Sequence, residues 1–213
     1  MIDHRISCRL VASAAHRISE QQDELSRLDA VAGDGDHGVN MAIALAEAVR
    51  RSERPGHDTA AAVFRTTGKA FHDTVGGAAG ALFGAFFSAL GARLDRAEAP
   101  DTADFVDGVR LGLARVVRLG RSAPRQKTMI DALGPAADSA SAVVAGGDAL
   151  GAVLRAAASA AREGAASTAG MRPSAGRARY APDASMGTVD PGACTVALIF
   201  EAWADELEDE VLT

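Results

Sequence analysis

Apolar residues recur with a period near 3.6 along most of the chain, broken by short runs rich in glycine, proline and acid. The pattern predicts eight helices, at roughly 4–26, 39–53, 58–74, 78–95, 101–120, 128–144, 147–170 and 191–209. No segment alternates for long enough to predict a strand. Asp58 and Asp101 stand where a side chain can accept from a first helical turn. Pro55-Gly56 and Pro100 leave connections too short to reach far, so neighbouring helices should run antiparallel around one core. The expected fold is all-α, a closed barrel or bundle of about eight antiparallel helices in a single domain, 1–213.

Three stretches fall outside the helical pattern: Asp29–Gly38, Arg121–Lys127 and Arg172–Pro191. The pair Gly76-Gly77 opens a further helix. In an up-and-down arrangement these loops can meet at one end, where a site is expected.

Composition narrows the reading. Hydrophobic residues make up 48% and aromatics 4%, which predicts a core of Ala, Leu and Val rather than large rings. From Thr74 to Ala92 there is no charge, but five glycines dilute the run, so it reads as a buried central helix and not a membrane span. Gly80, Gly84 and Ser88 recur every four positions, giving a face another helix can approach closely. Net charge is −6 with no cluster of Lys and Arg, which argues against nucleic acid as a partner. Cys8 and Cys194 form no disulfide framework or metal pattern. The N-terminus MIDHRISCRL has no apolar stretch of signal-peptide length, so the expected compartment is the reducing cytoplasm.

The candidate chemistry lies in Leu28–Gly38, LDAVAGDGDHG, with three carboxylates among turn-forming glycines. Two like charges about 4 Å apart cost roughly 4 kcal/mol at an effective dielectric of about 20, so three converging acids call for a cation. Asp29, Asp34 and Asp36 offer only hard oxygens, which favours magnesium completed by substrate phosphates. Three motif matches fail here. GDGDHG has GxGxxG spacing but no strand before it. Counted as an EF-hand from Asp34, it lacks an acid at position twelve, which is Leu45. Lys127-Thr128 lacks the glycine that a Walker A loop needs. From chemistry alone, a solvated turn with capping acids is the other reading.

LDAVAGDGDHGVNMA at 28–42 resembles the signature of the dihydroxyacetone kinase L subunit family, and further matches follow in order: GGAAGALFGAFF (76–87), KTMIDAL (127–133), GRARY (176–180) and DPGA (190–193). The resemblance implies a barrel of eight antiparallel helices holding ADP or ATP with two magnesium ions at one end. It implies that Asp29, Asp34 and Asp36 bind the metal, with His37, Gly38, Val39 and Asn40 opening a helix beneath the phosphates. Ala78 and Ala79 would form the phosphate turn, Gly120 and Met129 would flank the adenine, and Arg177 with Asp190, Pro191 and Gly192 would close the other side. Lys127 is open between a phosphate contact and a surface lysine.

The chain departs from the family in three places. Ala79 stands where the family has serine, Arg125-Gln126 where it has Gly-Asp, and Thr188 where a histidine is common. The resemblance implies a partner too, a K-type subunit carrying dihydroxyacetone or another small ketose, and a donor that is either ATP or a phosphoenolpyruvate-dependent phosphotransferase protein acting on bound ADP. Two other functions are weighed beside this one. A non-catalytic nucleotide or metal sensor is kept open by Ala79. A fatty-acid kinase domain is disfavoured by DGDHG, GRARY and DPG.

Overall fold

The computed structural model describes residues 1–54 and 58–208, and among these there is no strand. Ten helices occur: α1 (His4–Glu20), α2 (Gln22–Asp29), α3 (His37–Ser52), α4 (Ala60–Thr74), α5 (Gly77–Leu94), α6 (Thr102–Gly120), α7 (Ile130–Val144), α8 (Leu150–Ser167), α9 (Pro182–Ser185) and α10 (Pro191–Glu208). Two one-turn 3-10 helices, Thr168–Gly170 and Arg177–Tyr180, lie between α8 and α9.

Eight long helical rods account for the ten helices, because α1 and α2 divide one predicted helix and α9 is a single turn inside a predicted loop. The division at Gln21 corrects the expected unbroken helix 4–26. No glycine or proline marks it. Its cause is tertiary: a Cβ on Gly38 would collide with the backbone carbonyl of Gln22, so α3 starts pressed against the joint. A second correction concerns Asp58, because Thr59 caps α4 by accepting from Ala62 N at 3.1 Å. Asp101 behaves as expected, in a reciprocal capping box with Asp104. The Pro55-Gly56 turn lies outside the described residues.

Contacts run in a ring, α1–α3–α4–α5–α6–α7–α8–α10, and α10 packs back on α1 to close it. Arg9–Glu206 at 2.6 Å and Arg17–Asp205 at 2.7 Å line that closing seam. Gly84 and Ser88 of α5 do meet α4 closely, at His72 and Gly68, whereas Gly80 packs on the carbonyl of Val75. Helix α5, whose one charge is Arg93 in its last turn, is long and apolar enough to cross a membrane, but half of it is buried, between α4 and α6.

The buried core is mainly Ala, Leu and Val, as expected, but the few rings are gathered within it. All seven phenylalanines and Trp203 are buried, and they form one connected cluster. Trp203 meets Phe64, Phe87, Phe105 and Phe200 edge-on, with centroids 5.1–6.3 Å apart, and its Nε1 donates to Leu10 O at 2.9 Å. Phe83, at one edge of the cluster, also lines the cleft described below. Trp203→Ala is expected to cost about 3–5 kcal/mol, measured as a lower urea midpoint with an unchanged slope.

Candidate functional site

Alternation of the rods brings the starts of α3, α5, α7 and α10 to one end, together with the loops that precede them. They enclose a cleft of about 390 Å³, a size suited to a small ligand.

The acidic loop forms its rim. Asp29 ends α2, and its carbonyl accepts from Ala32 N at 3.1 Å and Gly33 N at 2.6 Å. Its carboxylate accepts from Gly35 N at 2.9 Å. Gly33 is required, since a Cβ there would overlap that carboxylate, and Gly35 has φ +77°. The wrap brings oxygens of Asp29, Asp34 and Asp36 within 4.8 Å of one another. Arg177 pairs with Asp34, and its guanidinium holds that carboxyl down at about 2. An all-carboxylate set this close fits a hard divalent cation after a small contraction.

Behind the acids, α3 begins at His37. Asn40 N is the first to bond back, to Asp36 O at 2.9 Å, so His37, Gly38 and Val39 keep unshared N–H groups. The His37 ring is buried, with Nε2 2.8 Å from Thr195 Oγ1. Burial pushes its pKa down, against the pull of Asp29 and Asp36, so the imidazole is neutral. Across the cleft, Gly76, Gly77, Ala78 and Ala79 form the first turn of α5. At the third side, Asp190 caps α10 by accepting from Ala193 N at 2.8 Å. Three helix starts thus face one space, each contributing roughly half a positive charge.

Asp29, Asp36, His37, Asn40, Ala78, Ala79, Met129, Arg177, Asp190, Pro191 and Gly192 all line the cleft. Four anticipated residues do not. Asp34 stands at the exposed rim beside Arg177, Gly38 is buried against Gln22, and Val39 turns its side chain outward. Gly120 ends α6, where a Cβ would lie 3.5 Å from Leu82 of the cleft wall. The sequence missed an apolar side made by Leu28, Val31, Leu82 and Phe83. Spacing could have found the last two, which lie one turn beyond Ala78 and Ala79.

Lys127 lines the cleft and is not a surface lysine. It is 2% exposed, and its Nζ donates to Thr168 O and Thr188 O at 2.6 Å each.

Residues 31–205 match the model of the DAK2 domain. The chain belongs to the DAK2 domain family. D-erythrulose kinase of Mycolicibacterium smegmatis is 41% identical over 95% of this DAK2 chain and 36% of its own length. The DAK2 chain thus spans about a third of the erythrulose kinases it matches. The ADP-binding subunit DhaL of the PEP-dependent dihydroxyacetone kinase 1 of Listeria innocua is 32% identical over 87% of this chain and 88% of its own. Dihydroxyacetone kinase of C. freundii, crystallised with AMP-PNP and Mg2+, superposes with a TM-score of 0.74 at 29% identity, over 94% of this chain and 34% of that one.

Burial pushes the Asp190 carboxyl from an ordinary 3.8 up to about 7, against the pull of Ala193 N–H and Lys127. The folded protein then holds, between about pH 4 and 7, a proton that the unfolded chain releases, so the residue's contribution to stability falls as pH rises through that window. Asp190→Asn keeps an acceptor for Ala193 N. In metal-free protein it is expected to gain stability relative to wild type over the same window, read by urea unfolding at about pH 5 and about pH 8.

Proposed function

We propose that this chain is the nucleotide-binding unit of a small-ketose kinase, holding ADP or ATP with Mg2+ in the cleft. The observation that carries the reading is the convergence of three carboxylates and three helix starts on one space. A polyphosphate satisfies the helix starts, and a divalent cation reconciles it with the acids. The family, and the AMP-PNP and Mg2+ of the C. freundii structure, support this assignment.

In this reading Asp29, Asp34 and Asp36 hold the metal. The N–H groups of His37, Gly38 and Val39, with Asn40, receive phosphate oxygens from one side, and Ala78 and Ala79 from another. Met129, beside Gly192, offers an apolar face for the base, with Gly120 at its edge. Arg177 and the Asp190-Pro191-Gly192 turn close the remaining side. The ions supply charge neutralisation to a phosphoryl group in transfer. The chain's own part is to orient the chain of phosphates and to keep water away, with a neutral His37 and the Leu82–Phe83 wall at the floor.

The matched part of the erythrulose kinases leaves about two thirds of their length unaccounted for, and the DhaL relatives are named as subunits. We therefore assign the ketose to a separate K-type unit or domain that meets the open end of the cleft. The acceptor class is a small ketose, such as erythrulose or dihydroxyacetone. Either ATP or a phosphoenolpyruvate-dependent donor protein recharges the site. Nucleotide retained through purification as ADP indicates the second route, and free exchange indicates the first. A sensor without catalysis has one feature in its favour, the missing hydroxyl at Ala79, and it would yield no phosphosugar when mixed with a K-type partner, ketose and donor.

Asp34→Asn is expected to weaken Mg-dependent ADP binding at least about 100-fold, or about 3 kcal/mol, with helical circular dichroism unchanged. Calorimetry with and without Mg2+ checks it, and normal binding in the variant would remove Asp34 from the ligand set.

A further inference from the structure

One wall of the cleft is a strap, Thr168–Asp190, that joins α8 to α10 and carries Arg177 near its middle. A connection of this length, with only single turns of helix inside it, keeps its place through specific ties. Its ends are stapled together: Gly187 N donates to Ala169 O at 3.0 Å, and Asp190 N to Thr168 Oγ1 at 2.9 Å. Lys127 comes from outside the strap and bridges the same two ends, with Nζ 2.6 Å from both Thr168 O and Thr188 O.

The loop that delivers this lysine is itself constrained. Lys127 (φ 59°) and Arg125 (φ 68°) both occupy the left-handed region, which side chains other than glycine rarely adopt. Buried Asp131 holds that turn by accepting from Arg125 N and, at 2.9 Å, from Thr128 N. Gln126 O accepts from Ser174 N at 3.3 Å, which adds a third point where this loop grips the strap. An ammonium taken out of water must have its donors filled, and two of the three are committed to strap carbonyls. Those acceptors are main-chain atoms, so the tie does not depend on which side chain stands at Thr188.

We propose that Lys127 is a positioning residue that fastens the base of the strap and so sets how firmly Arg177 is held over the cleft. The consequence for ligand rests on the nucleotide reading above, whereas closure of the strap is a property of the bare protein. The Arg177–Asp34 pair fastens the tip, and a cation taken up by Asp34 competes with it. The base tie involves none of the three acids and is retained in both states.

The test is limited trypsin digestion of the full chain without nucleotide, with cleavage after Arg177 and Arg179 followed by mass spectrometry. When opening is fast, cleavage reports the population of the open strap. Lys127→Met is expected to raise the initial rate at these sites about 10-fold or more, with helical circular dichroism unchanged. Affinity for Mg-ADP is expected to fall about 10-fold alongside. If the methionine variant does not fold, Lys127→Gln, which keeps an N–H donor, carries the same comparison with a smaller increase. Strap cleavage equal to wild type overturns the proposal. An ADP loss with unchanged cleavage does so too, and would make Lys127 a direct phosphate ligand. Absence of ADP binding in the wild type would instead refute the nucleotide reading, and the digestion would still decide the role of Lys127.

Discussion

Mutual repulsion among Asp29, Asp34 and Asp36 is the constraint around which the site end of this molecule is arranged. Their oxygens approach within 4.8 Å, and two of the three draw on positive charge or an N–H group. Gly35 N meets Asp29, and the Arg177 guanidinium meets Asp34. One guanidinium does not balance three carboxylates. The residual negative field beside three helix starts is what makes a cation with a polyphosphate the fitting occupant.

The barrel makes that juxtaposition possible. Eight rods alternating in direction put four helix starts at one end, and the aromatic cluster around Trp203 fixes the spacing between rods. The cluster reaches the site directly, since Phe83 stacks on Phe71 at 5.6 Å and lies 6.4 Å from the His37 ring. The acidic loop is anchored just as closely: α3 can start where it does only because Gly38 has no side chain to meet Gln22, and Asp29 can fold back because Gly33 has none either. Packing and electrostatics therefore share residues, and the helix joint at Gln21 belongs to the site as much as to the fold.

Much of this was legible in the sequence, because its signals are local. The 3.6 period gave the rods, the glycine-spaced acids marked the rim, and the GRARY and DPG segments pointed to the far side of the cleft. What was hidden depends on tertiary contact. Nothing near Gln21 breaks a helix by itself, so the joint is visible only once α3 is seen against it. Low aromatic content rightly suggested a mainly Ala, Leu and Val core, but the ring cluster inside it went unread, although Phe64 and Phe71, seven residues apart, and Phe83 and Phe87, four apart, already lie on single helix faces. Lys127 sits in a loop with arginine and glutamine before it, and no pattern announces that its ammonium is buried on two carbonyls contributed from 41 and 61 residues away.

The most direct test is a crystal grown with ADP and Mn2+ in place of Mg2+, with the metal located by anomalous scattering. The account predicts at least one ion coordinated by oxygens of the Asp29, Asp34 and Asp36 set and by the nucleotide phosphates, with the phosphates lying against the starts of α3 and α5. Nucleotide bound elsewhere, or the three carboxylates turned to solvent with no ion between them, would contradict it.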